Sequence, residues 1–215
     1  MSASPDLKMI ERQAYRSTYQ DGLWDILMGL VVIGMSLYMY HPESGYSMMN
    51  WIAFTITFLL ANGVYWLGKR YITVPRLGQV HFGAMRKRRG MVLAIVLGGV
   101  IFVQLLLIGL SIWGWRNPAA TENLLGADAD LGLLLVATLG SLFVGPSMIL
   151  IVYFNDFPRG YYIAVMMALA VFLMILTNQP VYALIIGTVF VIPGVVLLVR
   201  FIKQYPLHPQ EGSHA

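Results

Sequence analysis

The stretch Met91–Trp115 reads MVLAIVLGGVIFVQLLLIGLSIWGW, 25 residues without a charge, between the cluster Arg86-Lys87-Arg88-Arg89 and Arg116. As a helix it would be about 38 Å long, more than the ~30 Å hydrocarbon core of a bilayer. It lacks the apolar–polar alternation of an outer-membrane barrel strand. A water-soluble domain has no means of hiding a run of this kind together with others like it. The rest of the chain repeats the pattern. Of 215 residues, 58% are hydrophobic and only 11% charged, and the mean hydropathy is +0.71. An ordinary soluble domain carries about 25% charged residues. These values exclude a cytosolic enzyme and a disordered chain, and they specify an all-α, polytopic integral membrane protein.

Working outward from Met91–Trp115, five further apolar segments appear: Leu23–Tyr40, Met48–Gly68, Leu131–Phe154, Tyr161–Thr177 and Val181–Ile202. Even the shortest is about 26 Å long as a helix, so six spans are expected, forming one six-transmembrane-helix bundle over residues 23–202. Residues 1–22 precede it and residues 203–215 form a tail. Asn178-Gln179-Pro180 splits the last apolar stretch in two. Asn suits a left-handed helix cap and Pro the first turn of a new helix, so spans five and six should form a tight hairpin.

The cations set the direction. With the N-terminus placed inside, 13 of the 14 Lys and Arg residues fall in inner segments and only Arg116 falls outside. A bias held at every loop predicts an N-in/C-in protein of the plasma (inner) membrane. The first 22 residues carry mixed charge and no small-residue cleavage pattern follows Tyr40, so span one is expected to remain as an anchor. Asp6–Gln20 has no Pro or Gly and repeats Leu7, Ile10 and Ala14 at helical spacing, which fits an interfacial helix. Residues 69–90 read as the one long inner loop, with seven cations, no acid, and a turn and short extended piece around Pro75 and Gly78. Arg86, Lys87, Arg88 and Arg89 are the candidate contact with anionic lipid headgroups, at about 1 kcal/mol for each basic residue near the surface. Topology signalling alone would explain the same cluster. No nucleic-acid-binding module accompanies it.

Chemistry is sparse. Cysteine is absent, which removes disulfides and thiol chemistry. His41, His81, His208 and His214 all lie outside the spans, and no span holds a Lys, so neither haem ligation nor a retinal Schiff base is expected. No cofactor or metal is expected: the acids Glu122, Asp128 and Asp130 lack the ligand spacing of a calcium loop. Asp25 is the one carboxylate within a span, with Asp21 one turn before it. Acids there suit a helix start, and a refinement pairs Asp25 with an Arg of the basic loop. Asn62, Gln104, Thr138 and Ser141 are candidate intramembrane polar groups, as interhelical glue or as the lining of a path. Pro146 and Pro193 each remove a backbone donor within a span and should kink it. Gly29, Gly34, Gly98 and Gly99, with Ala164 and Ala168, offer small packing faces. Leu59, Gln104, Ile108, Leu142 and Gly187 are expected toward the core.

The resulting expectation is a non-catalytic integral membrane subunit or scaffold, in an assembly with other membrane subunits or with copies of itself. The alternative is a small transporter or channel for a neutral or hydrophobic solute, using Asn62, Gln104 and the proline kinks. A lipid-active enzyme with Asp21 and Asp25 as its acids comes third.

Overall fold

The computed structural model describes residues 19–39, 48–77, 84–116 and 129–206. Six helices make up these residues, with no strand among them: α1 (Leu23–Met39), α2 (Met48–Leu77), α3 (Ala84–Arg116), α4 (Ala129–Phe154), α5 (Gly160–Thr177) and α6 (Val181–Gln204). Five hold a stretch long and apolar enough to cross a membrane: Met48–Leu77, Arg88–Leu107, Gly132–Phe154, Gly160–Thr177 and Val181–Gln204. α1, with 17 residues, is shorter. The molecule therefore has the architecture of a helical membrane protein. The expected interfacial helix at Asp6–Gln20 lies outside the described residues, except at its end.

Where it is described, the segment 69–90 is helical rather than the loop expected; the short extended piece expected after Gly78 lies outside the described residues. α2 continues into the segment as a π-helical turn, Lys69–Thr73, and a last α-helical turn, Val74–Leu77. α3 then begins at Ala84, so Arg86, Lys87, Arg88 and Arg89 belong to its first two turns. Pro75 lies two residues before the end of α2, just after the π-helical turn.

By its contacts the chain divides into two compact units, residues 1–81 with 187–215 and residues 82–186. The division falls inside α6.

In the first unit α1 packs on α2 and on the second part of α6. Its glycines decide how closely. A Cβ on Gly22 would lie 2.3 Å from the Gly194 carbonyl oxygen, and one on Gly29 would lie 2.7 Å from that of Gly187. Each helix thus places two glycines seven residues apart, and the numbers run in opposite senses, so α1 and α6 are antiparallel and meet backbone to backbone. Gly68 admits Leu23 in the same way, with only 2.6 Å from its would-be Cβ to the Leu23 side chain. Leu23, Val32, Ala61, Phe190 and Phe201 are buried here. At the far end of α1, Tyr38 stacks edge-on to Trp51 at 4.8 Å, and its carbonyl accepts a hydrogen bond from Asn50 at 3.3 Å.

The second unit is built on α4 against α5, with α3 packed on α4. Its seam is aliphatic and small: Ala137, Val152, Ile163, Ala164, Met167, Ala170 and Met174 are buried. Gly145 packs on Ala168, 3.1 Å from a would-be Cβ. α4 ends in a Schellman motif. Phe157 N–H donates to Val152 O at 3.1 Å and Asp156 N–H to Tyr153 O at 3.2 Å, with Asp156 left-handed at φ 50°. α5 ends on Asn178, also left-handed at φ 51°, and α6 starts one residue after Pro180, so the chain breaks between two helices where Asn178-Gln179-Pro180 is expected to break it. Pro146 and Pro193 lie inside continuous helices.

Two residues expected toward the core are exposed: Leu59 at 63% and Leu142 at 57%. Both helices are apolar all round, so no amphipathic face announces which side is covered. Gly187 is buried and Gln104 half-buried, and the Ile108 side chain lies outside the described residues.

Candidate functional site

The polar centre of the first unit is Asp21, whose side chain is fully buried. Gly22, at φ +74°, turns the chain into α1, and its carbonyl accepts the Ile26 N–H at 3.1 Å. Asp21 thus sits just before the helix cap. Its Oδ1 accepts the Leu23 N–H at 3.2 Å, a short-range turn that Asp favours and that satisfies a donor of the first helical turn. Its Oδ2 accepts two further bonds, from Lys69 Nζ at 2.6 Å and from the Thr73 hydroxyl at 2.6 Å. Lys69 and Thr73 are the first and last residues of the π-helical turn. A single carboxylate oxygen therefore holds both ends of that wide turn. Inserted π-helical turns of this kind recur at functional places in helices.

Aromatic rings surround the ammonium. Lys69 Nζ lies over the rings of Tyr19 at 5.6 Å and Tyr65 at 5.7 Å. Trp24 closes the wall, edge-on to Tyr19 at 6.0 Å and to Tyr65 at 5.8 Å. The ring faces add cation–π attraction. Chemically, the arrangement is an ion pair with its charges and lone pairs engaged by the protein itself. It ties the start of α1 to the last turns of α2.

Asp25, one turn on, is 7% exposed. It borders the α1–α6 seam: a Cβ on Gly194 would lie 3.1 Å from the Asp25 Cβ. Asp21, through Lys69, is a partner of the basic segment whose geometry is described. Asn62 is exposed on α2, and its amide donates to Phe58 O at 2.8 Å. Thr138 donates to Leu134 O at 2.8 Å and Ser141 to Thr138 O at 2.8 Å, each within α4. These three return their hydrogen bonds to their own helices. Gln104 lies on the half-buried stripe of α3, with Leu93, Leu97, Val100 and Leu107. Asp25 and Asn62 belong to the first unit, and Gln104, Thr138 and Ser141 to the second.

In the second unit, Arg88 and Arg89 are exposed at the start of α3, while the side chains of Arg86 and Lys87 lie outside the described residues. Arg89 Nη1 approaches Asp156 Oδ2 at 3.7 Å, with the arginine side chain 55% exposed. Among the described residues no cluster of three or more His, Asp or Glu is placed to hold a metal ion.

Sequence reasoning placed Asp21 at a helix start beside a basic segment but missed Thr73 and the choice of Lys69. The signal was thin: Lys69 and Thr73 are four apart in a stretch punctuated by Pro75, and nothing local foretells a π-helical turn. Comparison with protein-family models, with curated proteins and with solved structures gave no match.

Proposed function

We propose that the chain is a non-catalytic integral membrane subunit or scaffold with six spans and both termini on the cytoplasmic side of the plasma membrane. Its basic α3 start, at Arg86, Lys87, Arg88 and Arg89, meets anionic headgroups. Its partners are other membrane subunits or further copies of the chain.

The observation that carries this reading is the state of Asp21. An ionisable group inside a membrane protein is by default a functional candidate. Here the buried carboxylate takes three hydrogen bonds from its own chain and fastens α1 to the inner end of α2. The apolar outer surface supports it as well: none of the window within Arg88–Leu107 is buried by the chain itself. Six spans are supported by α1, about 26 Å long, which Asp21 anchors at its inner end. Orientation rests on the 13 cations assigned to inner segments.

Two experiments test the proposal. The natural chain has no cysteine, so single-cysteine variants report topology cleanly. In intact cells, Glu43→Cys should react with an impermeant maleimide, and Lys203→Cys only after permeabilisation; the opposite pattern overturns the orientation. Purification in a gentle detergent should bring down a stoichiometric membrane partner or a defined oligomer. A solitary chain that passes neutral solutes in liposomes would replace the subunit reading with a transporter.

A further inference from the structure

Three cations follow one another along the inner end of α2, and the structure gives each a different situation. Lys69 is spent on Asp21 at 2.6 Å. Arg76 turns back on its own helix and donates from Nη1 to Ile72 O at 2.9 Å. Arg70 is exposed, has no carboxylate partner among the described residues, and lies near two rings. Its guanidinium carbon sits over the Trp66 ring at 5.2 Å and the Tyr71 ring at 5.8 Å.

That geometry has a consequence for what Arg70 can bind. A ring face attracts the guanidinium without taking any of its N–H donors. Arg70 therefore keeps its planar fork of donors for a phosphate, which accepts two parallel bonds from it. Trp66 and Tyr71 are themselves exposed, by 56% and 63%, at the end of a helix apolar enough to cross a membrane. Exposed Trp and Tyr at such a place settle at headgroup level, which sets the depth of the arginine beside them. We infer that Arg70, beside Trp66 and Tyr71, is the seat for the phosphate of an anionic lipid headgroup. The inference rests on the membrane reading above and adds a lipid site separate from the basic start of α3.

The test uses the full chain in nanodiscs of phosphatidylcholine with increasing phosphatidylglycerol, reading retained lipid by native mass spectrometry after transfer to mild detergent. Arg70→Ala should weaken phosphatidylglycerol retention about fivefold, the factor one basic residue supplies at an anionic surface, and leave phosphatidylcholine unchanged. Arg70→Lys, which keeps the charge but loses the planar fork, should fall between. Inorganic phosphate should not compete. Arg70 is exposed, and an unchanged unfolding temperature will show that the variants fold. Full phosphatidylglycerol retention by Arg70→Ala, equal retention of both lipids by the parent, or displacement by phosphate alone each overturns the seat. Serine at Arg86, Lys87, Arg88 and Arg89 separates the two lipid claims. Loss of retention there, with Arg70→Ala unaffected, keeps the α3 contact and removes the Arg70 seat; the reverse keeps the seat and removes the α3 contact.

Discussion

The two units carry one acid–base pair each whose geometry is described, and the pairs differ in almost every respect. Asp21 and Lys69 meet at 2.6 Å, with the carboxylate out of solvent and Thr73 on the same oxygen. Asp156 and Arg89 stand 3.7 Å apart, with the arginine largely exposed. A shielded carboxylate is common to both; separation and the exposure of the cation, 21% for Lys69 against 55% for Arg89, set them apart. The helix seams differ in the same way. In the first unit α1 and α6 touch through glycine backbones, whereas the second is filled by Ala, Val, Ile and Met side chains. The first unit has little room to adjust, and the second has flexible side chains that can.

The sharpest way to break this contrast is to remove one partner from each pair. Asp21→Ala strands Lys69 in a mostly buried place and should cost about 3–5 kcal/mol. Thermal unfolding in mild detergent should show it, and a loss no larger than that of Asp156→Ala would end the comparison. Next come the glycines. Gly29→Ala puts a Cβ within 2.7 Å of a backbone oxygen and should cost about 1–3 kcal/mol, because backbone cannot step aside as a side chain tip can. Gly99→Ala, with nothing within 4 Å, should instead gain up to ~1 kcal/mol from helix propensity. Opposite signs in the same unfolding assay are the expected result. The smallest effect belongs to Asp156. Asp156→Ala should cost less than about 1 kcal/mol in all, because the pair is long with its arginine largely exposed and Ala is strained only a little more than Asp by left-handed backbone. Asp156→Gly relieves that strain and should unfold at a higher temperature than Asp156→Ala.

Much of this architecture can be read from residue order. The ends of α2's apolar part, α4, α5 and α6 fall within two residues of the expected bounds, because charges and turn formers punctuate apolar runs. Asn178 and Pro180 identify the α5–α6 turn for a local reason: one tolerates a left-handed backbone and the other opens a helix. The segment Asn155–Gly160 is legible as a short turn, but its left-handed residue is not, since Asp is a less common residue than Gly at that position of a Schellman motif. The candidate polar residues were legible as polar but not as partners. Asn62, Thr138 and Ser141 answer to their own helices, a choice that depends on what stands opposite them.

Residue order alone determines that this chain is helical, that it is built for lipid, and where its cations gather. Those properties follow from hydrophobicity summed along the chain, a quantity that needs no partner. Tertiary structure alone decides that Lys69 rather than another cation meets Asp21, that Leu59 and Leu142 face outward, and that Gly22 and Gly29 answer Gly194 and Gly187 at the other end of the chain. Those are contacts between residues 48 to more than 150 positions apart. An apolar helix with no polar face leaves them open until another helix is laid against it.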